Sequence, residues 1–419
     1  MSSEMHALVF GASGVSGWGV MNQLLSYPTP TAWTSIAGTT NRPLTASQAL
    51  LPNDPRLSLV SGIDLTNPPS AIAKSLKEKV KHVDKITHVF FTAYIHINER
   101  AIQLLEESSQ DHELVKSLKT MPEYKTKNWH ALVKETNVKI VKNASEALNE
   151  VAPSLKRFVM QTGGKHYGMD SGPKLVPSLL DSPYEESRPR LTGKVAEPIF
   201  YYGQIDAVAD SCRDRSWTFC EVRPDVIVGF VPSLGSVSGQ DAARLLALYL
   251  SLYRKVHGEG AEFPFPGSQK SWTNRHTDSW QDTIGKLSIW AATQDLRNGE
   301  AFNCVDKPTT WKEKWGPICA FFGLKGTGPG ERPYDMMQST QWVHQHKKEI
   351  DELIKEHGLI GDSWTTANWV FMWAIMTVLD YDKEYDMRKA TGLGFKDQVG
   401  GADGWIATFK RLREAKVIP

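Results

Sequence analysis

Apolar runs rich in β-formers alternate with longer amphipathic stretches through the first half of the chain, a rhythm that predicts βαβ units and a parallel sheet. The runs predict strands at Ala7–Phe10, Trp33–Ala37, Leu57–Val60, Ile86–Thr92, Arg157–Met160 and Thr218–Val222. Between the fourth and fifth, the stretch Asn128 to Glu150 sets Leu132, Val138, Val141 and Leu148 at helical spacing, which predicts a crossover helix. A polar, charged insertion at about 95–127 precedes it, and both a helical lid and a surface excursion fit that composition. After Gly229 the rhythm changes to Pro/Gly-punctuated loops between helices rich in Trp, Leu and Met. The fold class expected is therefore α/β: a doubly wound parallel sheet with helices on both faces and a smaller, mainly helical C-terminal substrate lobe. Residues 1–229 are assigned to the first unit and 230–419 to the second, interleaved with the sheet.

With 419 residues and 41% hydrophobic content the chain can bury a large core. Forty-eight basic against 47 acidic residues leave a net charge of +1, which argues against a nucleic acid or an anionic membrane as partner. Four cysteines lack CxxC spacing and the density of a disulfide scaffold, so a reducing, cytoplasmic setting and no metal are expected. The most apolar stretch, from Trp369 to Leu379, is too short for a bilayer, which takes about 20 residues, and reads as a buried helix.

Directly after the first strand the chain reads GASGVSG, with Gly11, Gly14 and Gly17 at the junction with a helix. A tight turn, close approach of backbone to a pyrophosphate and close packing of helix on strand all need glycine there, which predicts a Rossmann dinucleotide site. The second strand ends at Gly38 and continues TTNRPL, with Arg42 where an NAD enzyme would carry a carboxylate for the ribose hydroxyls. A guanidinium suits a 2′-phosphate, so NADPH is the cofactor expected. Asp64 and Leu65 fall where they would meet the adenine end, although Asp64 equally suits a turn cap. Thr92, Ala93 and Tyr94 lie at the C-terminal edge of the sheet, where ligands bind in this architecture.

The fifth strand runs into QTGGKHYG, and a paired tyrosine follows in IFYYGQID. Four residues beyond Tyr201 and Tyr202 stand Ile205 and Asp206, so the lysine of an ordinary short-chain dehydrogenase is missing from that spacing, and Lys165 is the natural substitute. These motifs, with THVFFTAY, VRPDVIVGF, FPFPGSQKSWTN and EAFNCVD in order along nearly the whole chain, resemble the progesterone 5β-reductase/iridoid synthase-like (PRISE) family, in a fungal or bacterial form. Gly164 departs from the family's usual arginine. The resemblance implies catalytic roles for Lys165 and Tyr201, with Tyr202 as the other candidate, and cofactor contacts from Ser13, Val15, Thr39, Asn41, Thr162, Pro224, Val226 and Ile227.

It also implies an NADPH-dependent ene-reductase of specialised metabolism, acting on an apolar α,β-unsaturated carbonyl compound. Carbonyl reduction, epimerisation or cofactor-assisted cyclisation on the same fold, and an NADP(H)-sensing regulator without turnover, are the competing readings. A homodimer stays open. Trp272, Phe371 and Met372 suit an apolar pocket in the second lobe, and core packing explains them equally well.

Overall fold

His6–Phe10 (β1) is buried at every position, as a strand is when neighbours flank both its edges and helices cover both its faces. The computed structural model describes residues 4–96, 128–231, 242–330, 336–365, 367, 369, 376 and 380–419. Most of the polar insertion, together with Phe371 and Met372, lies outside these. Among the described residues β1 joins Ser35–Thr40 (β2), Leu57–Ser61 (β3), His88–Phe91 (β4), Arg157–Gln161 (β5), Thr218–Pro224 (β6) and Glu300–Cys304 (β7). They form one parallel sheet in the order β7-β6-β5-β4-β1-β2-β3. The winding reverses between β1 and β4, which opens a crevice at the C-terminal ends of those strands.

Alternate residues of β1 feed two cores. Ala7 and Val9 belong to one apolar cluster with Trp18 and Ile284, and Leu8 and Phe10 to another with Ile72, Ile140 and Val208. The first face carries Val15–Leu24 (α1) and Gln281–Thr293 (α6), and the second Pro69–Lys79 (α2), Trp129–Val151 (α3) and Phe200–Cys212 (α4), while Ala242–His257 (α5) extends the first cluster toward the C-terminal helices. Helix α3 is the expected crossover helix, started by the Asn128 side chain, which accepts from the Ala131 amide. No helix among the described residues is long and apolar enough to cross a membrane.

Six strands lie where the apolar runs predict them. β2 differs in continuing past Gly38, because Thr39 and Thr40 pair with Val60 and Ser61 of β3. β7 was not expected as a strand. Its sequence, EAFNC, has no strict alternation of polar and apolar residues and takes its place through pairing with β6, some eighty residues earlier.

The face next to the glycine turn depends on how closely α1 and α6 approach. A Cβ on Gly285 would stand 2.9 Å from the Gly19 carbonyl oxygen, and one on Gly19 would stand 2.8 Å from the carbonyl oxygen of Gln281. The Gln281 and Gln23 side chains crowd the same two points, but the carbonyls beside them are backbone, so moving those side chains alone would not make room. Gly285→Val should lower unfolding stability by about 1–3 kcal/mol, the usual cost of overpacking, despite its better helix propensity. Urea unfolding checks this, and unchanged stability would mean that the two helices part without cost.

Candidate functional site

The turn after β1 is built on backbone contacts. Gly11 has φ +86°, a conformation L side chains rarely adopt, and a Cβ there would press on Ala93 at 2.8 Å. A Cβ on Gly17 would collide with the Gly11 carbonyl, whereas one on Gly14 would meet it only at 3.4 Å. Gly14 is the N-cap of α1 and has no side chain to cap it. The first amides of α1 therefore have no partner within the helix, the arrangement that receives an anion. Ser13 sits in this turn, partly exposed, while Val15 is buried. The Gly11 and Ala12 amides both donate to the Thr39 carbonyl, at 3.2 and 3.1 Å, so β2 carries the turn.

Beyond β2, the Thr40 hydroxyl donates to the Arg42 carbonyl at 2.6 Å and the Gly62 amide to the Asn41 carbonyl at 3.1 Å. The loop is thereby braced while Asn41 and Arg42 stay exposed, and Arg42 makes no ion pair among the described residues. After β3, one oxygen of Asp64 accepts from the Thr66 amide at 2.9 Å and its hydroxyl at 2.7 Å, so this carboxylate caps a turn. Leu65 is buried, and its carbonyl accepts from Asn143 on α3.

At the end of β4 the Thr92 hydroxyl donates to the Phe10 carbonyl at 2.8 Å, which locks the β1 and β4 ends together, with Ala93 against Gly11. Tyr94 stacks on Phe200 with ring centroids 5.6 Å apart. The Phe200 ring also meets Tyr201, at 4.5 Å, and the Lys165 ammonium, at 5.8 Å. Lys165 pairs with Asp170 at 2.8 Å. Burial lowers its pKa and Asp170 raises it, with a net rise that keeps it charged. No hydrogen bond joins Lys165 to Tyr201 among the described residues; what they share is Phe200.

The two tyrosines do different things. The Tyr202 hydroxyl donates to the His166 carbonyl at 2.7 Å and accepts from the Leu191 amide at 3.0 Å, and the ring is buried. The Tyr201 hydroxyl has no hydrogen-bond partner among the described residues and stands beside Gly163, 3.2 Å from where a Cβ would be. Burial pushes its pKa up, so the phenol keeps its proton. The pair alone does not separate these roles.

Under the loop lies a buried polar network. Glu221 accepts from the Thr162 hydroxyl at 2.5 Å and pairs with Arg223 at 2.7 Å, and His166 Nδ1 is 3.5 Å away. Arg223 reaches the Tyr167 hydroxyl at 3.3 Å, which donates to Asn303 of β7 at 2.6 Å. The Thr162 side chain is thus turned into the sheet rather than toward the crevice. Pro224 ends β6, and the Val226 carbonyl is taken by the Ser279 amide at 2.9 Å while Ile227–Val228 pairs with Ser279–Trp280. Sequence reasoning missed Glu221, Asn303 and Gln281, the last of which binds Val15 and Phe230 backbone at 2.8 and 2.9 Å. Trp272 packs on Phe265, ring centroids 5.1 Å apart. No cluster able to hold a metal ion occurs among the described residues.

Burial pushes the Glu221 carboxyl up, but His166 and Arg223 outweigh it and bring the pKa to about 2 from an ordinary 4.5. The unfolded chain takes up this proton as pH falls below 4.5 and the folded chain only near 2. The stabilisation is therefore complete above 4.5 and lost between 4.5 and 2. Glu221→Gln should cost on the order of 3 kcal/mol near pH 7 by leaving Arg223 unpaired, and should flatten the stability loss across that acid window. Denaturant unfolding at several pH values reads both, and an unaltered slope would remove the assignment.

Compared with known proteins, residues 7–123 and 119–419 match the family described as a PRISE-like Rossmann-fold domain. The chain is 31% identical over 421 residues to the short chain dehydrogenase ausT of Aspergillus calidoustus, covering 100% of this chain and 95% of that one. It is 26% identical over 434 residues to the 3-oxo-Delta(4,5)-steroid 5-beta-reductase of Arabidopsis thaliana, covering 100% and 94%. A UDP-glucuronic acid 4-epimerase from Bacillus cereus, solved in complex with NAD, superposes with a TM-score of 0.54 at 13% identity, over 98% of this chain and 99% of that one. That likeness speaks to the fold. The crevice, the glycine turn and the full-length match lead to one statement: this chain belongs to the PRISE-like Rossmann-fold family and is an enzyme of the short-chain dehydrogenase/reductase kind.

Proposed function

We propose that this chain is an NADPH-dependent reductase that adds hydride to the β-carbon of an α,β-unsaturated carbonyl compound. The observation that carries this reading is the Tyr201 hydroxyl, a protonated donor with no partner among the described residues, beside the C-terminal ends of β5 and β6. The Arabidopsis relative, a 3-oxo-Delta(4,5)-steroid 5-beta-reductase, is by name an enzyme acting on an enone, which supports the substrate class.

The residues present fit the dinucleotide. Gly11 and Gly17 leave a cradle that a Cβ would fill, the N-terminus of α1 offers amides to the pyrophosphate, and Arg42 is free to meet a 2′-phosphate. When bound, NADPH supplies the hydride. As the β-carbon gains it, the π electrons move onto the carbonyl oxygen, and Tyr201 donates a hydrogen bond to that developing enolate. Lys165 lies on the Phe200 side of the same tyrosine, where its charge would reach the oxyanion once a substrate displaced Asp170 from it. A proton from water completes the α-carbon, so one hydride and one proton are consumed per double bond reduced.

Incubation with cofactor deuterated at the transferable position and a panel of enals, enones and unsaturated steroids tests the reaction. Deuterium should appear at the β-carbon, and label at the carbonyl carbon would overturn the reading in favour of carbonyl reduction. Tyr201→Phe should lower kcat about 10²–10³-fold with NADPH affinity kept, as when one oxyanion donor is lost. Tyr202→Phe should act mainly on stability, since its hydroxyl is spent on backbone. Equal kinetic losses from the two would contradict the division of roles. Arg42→Ala should weaken NADPH binding at least tenfold more than NADH binding in titrations, and equal weakening would remove the phosphate assignment.

A further inference from the structure

Tyr385 comes from near the C-terminus and stands against the loop that follows β5. Its backbone is fixed from both sides by Tyr184, whose amide donates to the Glu384 carbonyl at 2.8 Å and whose carbonyl accepts from the Asp386 amide at 2.9 Å. Its ring lies edge-on to Tyr167 and Tyr184, both at 5.4 Å, and is 2% exposed. A ring held in this way has little freedom left to it beyond rotation of the hydroxyl proton.

That hydroxyl is buried and has no hydrogen-bond partner among the described residues. Leaving a buried donor without a hydrogen bond costs stability, a cost that phenylalanine would avoid at nearly the same volume. The hydroxyl occupies the space that a Cβ on Gly164 would need. The preceding glycine, Gly163, has the Tyr201 hydroxyl in the corresponding position, 3.2 Å from where its own Cβ would be. Two phenols from distant parts of the chain thus set unengaged hydroxyls against consecutive glycines at the C-terminal edge of the sheet. Asp225, the carboxylate that bears on this hydroxyl electrostatically, is already occupied by Lys383 at 2.7 Å and by the Thr277 hydroxyl at 3.4 Å. Burial above all, with Asp225 nearby, holds the Tyr385 pKa far above its ordinary value, so the group remains a donor.

We propose that the Tyr385 hydroxyl is a second hydrogen-bond donor of the substrate site, directed with Tyr201 at the same carbonyl oxygen. This rests on the reductase reading and deepens it. A carbonyl oxygen has two lone-pair directions, and two phenols satisfy both as charge collects there. The substrate class this favours is one with an exposed, unhindered ketone or aldehyde oxygen conjugated to the reduced double bond.

Tyr385→Phe keeps the ring and removes only the hydroxyl. It should lower kcat for enone reduction on the order of 10²-fold, leave NADPH affinity unchanged, and leave Tm unchanged or raised because an unpaired buried donor has gone. Gly164→Ala displaces the hydroxyl without removing it, so it should lower both Tm and kcat. Combined with Tyr385→Phe it should recover most of that Tm, since the shorter phenylalanine leaves only Met169 Cγ, 3.1 Å from the added Cβ, to give way. Wild-type kcat in Tyr385→Phe, beside a crippled Tyr201→Phe, would overturn this proposal and leave the reductase reading standing. Wild-type kcat in Tyr201→Phe as well would remove both. A Tm several degrees lower in Tyr385→Phe would make the hydroxyl structural and overturn the proposal from the other side.

Discussion

Two opposite charges taken out of water must meet each other or be neutralised, and the pairing of Glu221 with Arg223 inside the sheet imposes that requirement on everything above it. Both lie on β6 with side chains on one face, two residues apart. Their remaining hydrogen-bonding capacity has to be met by neighbours, and the neighbours are the loop after β5. Thr162 donates to the carboxylate, His166 sits beside it, and Tyr167 lies against the guanidinium. With these three side chains turned inward, Gly164 and Lys165 are left as the partly exposed residues between them. The open surface of the site is in this sense the complement of a buried ion pair.

The second half of the chain is part of the same construction. Asn303, on β7, accepts from Tyr167 and donates to the Tyr184 and Asp386 carbonyls, so one amide joins the loop, the segment before α4 and the C-terminal segment. Gln281 joins the start of α1 to the chain beyond β6 in a similar way. Groups carried by residues after 229 thus fix the position of the glycine turn and of the tyrosines. A substitution at Asn303 or Gln281 acts on the crevice although neither residue carries any recognisable motif.

What the sequence discloses and what it hides follow from the range of the interactions involved. The glycine turn is legible because its contacts, Gly11 to Gly17, fall within seven residues, and α3 because its periodicity is intrinsic to the segment. β7 is hidden because EAFNC becomes a strand only by pairing with β6, and the network of Glu221 is hidden because its members come from β5, β6 and β7. Arg42 is picked out by a missing carboxylate within the same few residues, and the structure leaves it exposed. Lys165 was singled out by elimination, but the ion pair with Asp170, five residues on, has no spacing rule to announce it. Tyr385 had no signal of any kind.

The tyrosine doublet shows how a local pattern acquires two functions from its surroundings. Adjacent residues at a helix start point about 100° apart, since 3.6 residues complete a turn. One direction at the start of α4 leads under the loop, where Tyr202 finds a carbonyl of His166 and an amide of Leu191 at hydrogen-bonding distance from a single hydroxyl. Those two bonds fix the first turn of α4 against the very loop that carries Lys165. The other direction then leads to Gly163 and the crevice, and Tyr201 is placed there by the anchoring of its neighbour rather than by any bond of its own. Anchoring by the next residue holds Tyr201 in place while leaving its hydroxyl without a bond of its own among the described residues, which is what the proposed role as oxyanion donor requires.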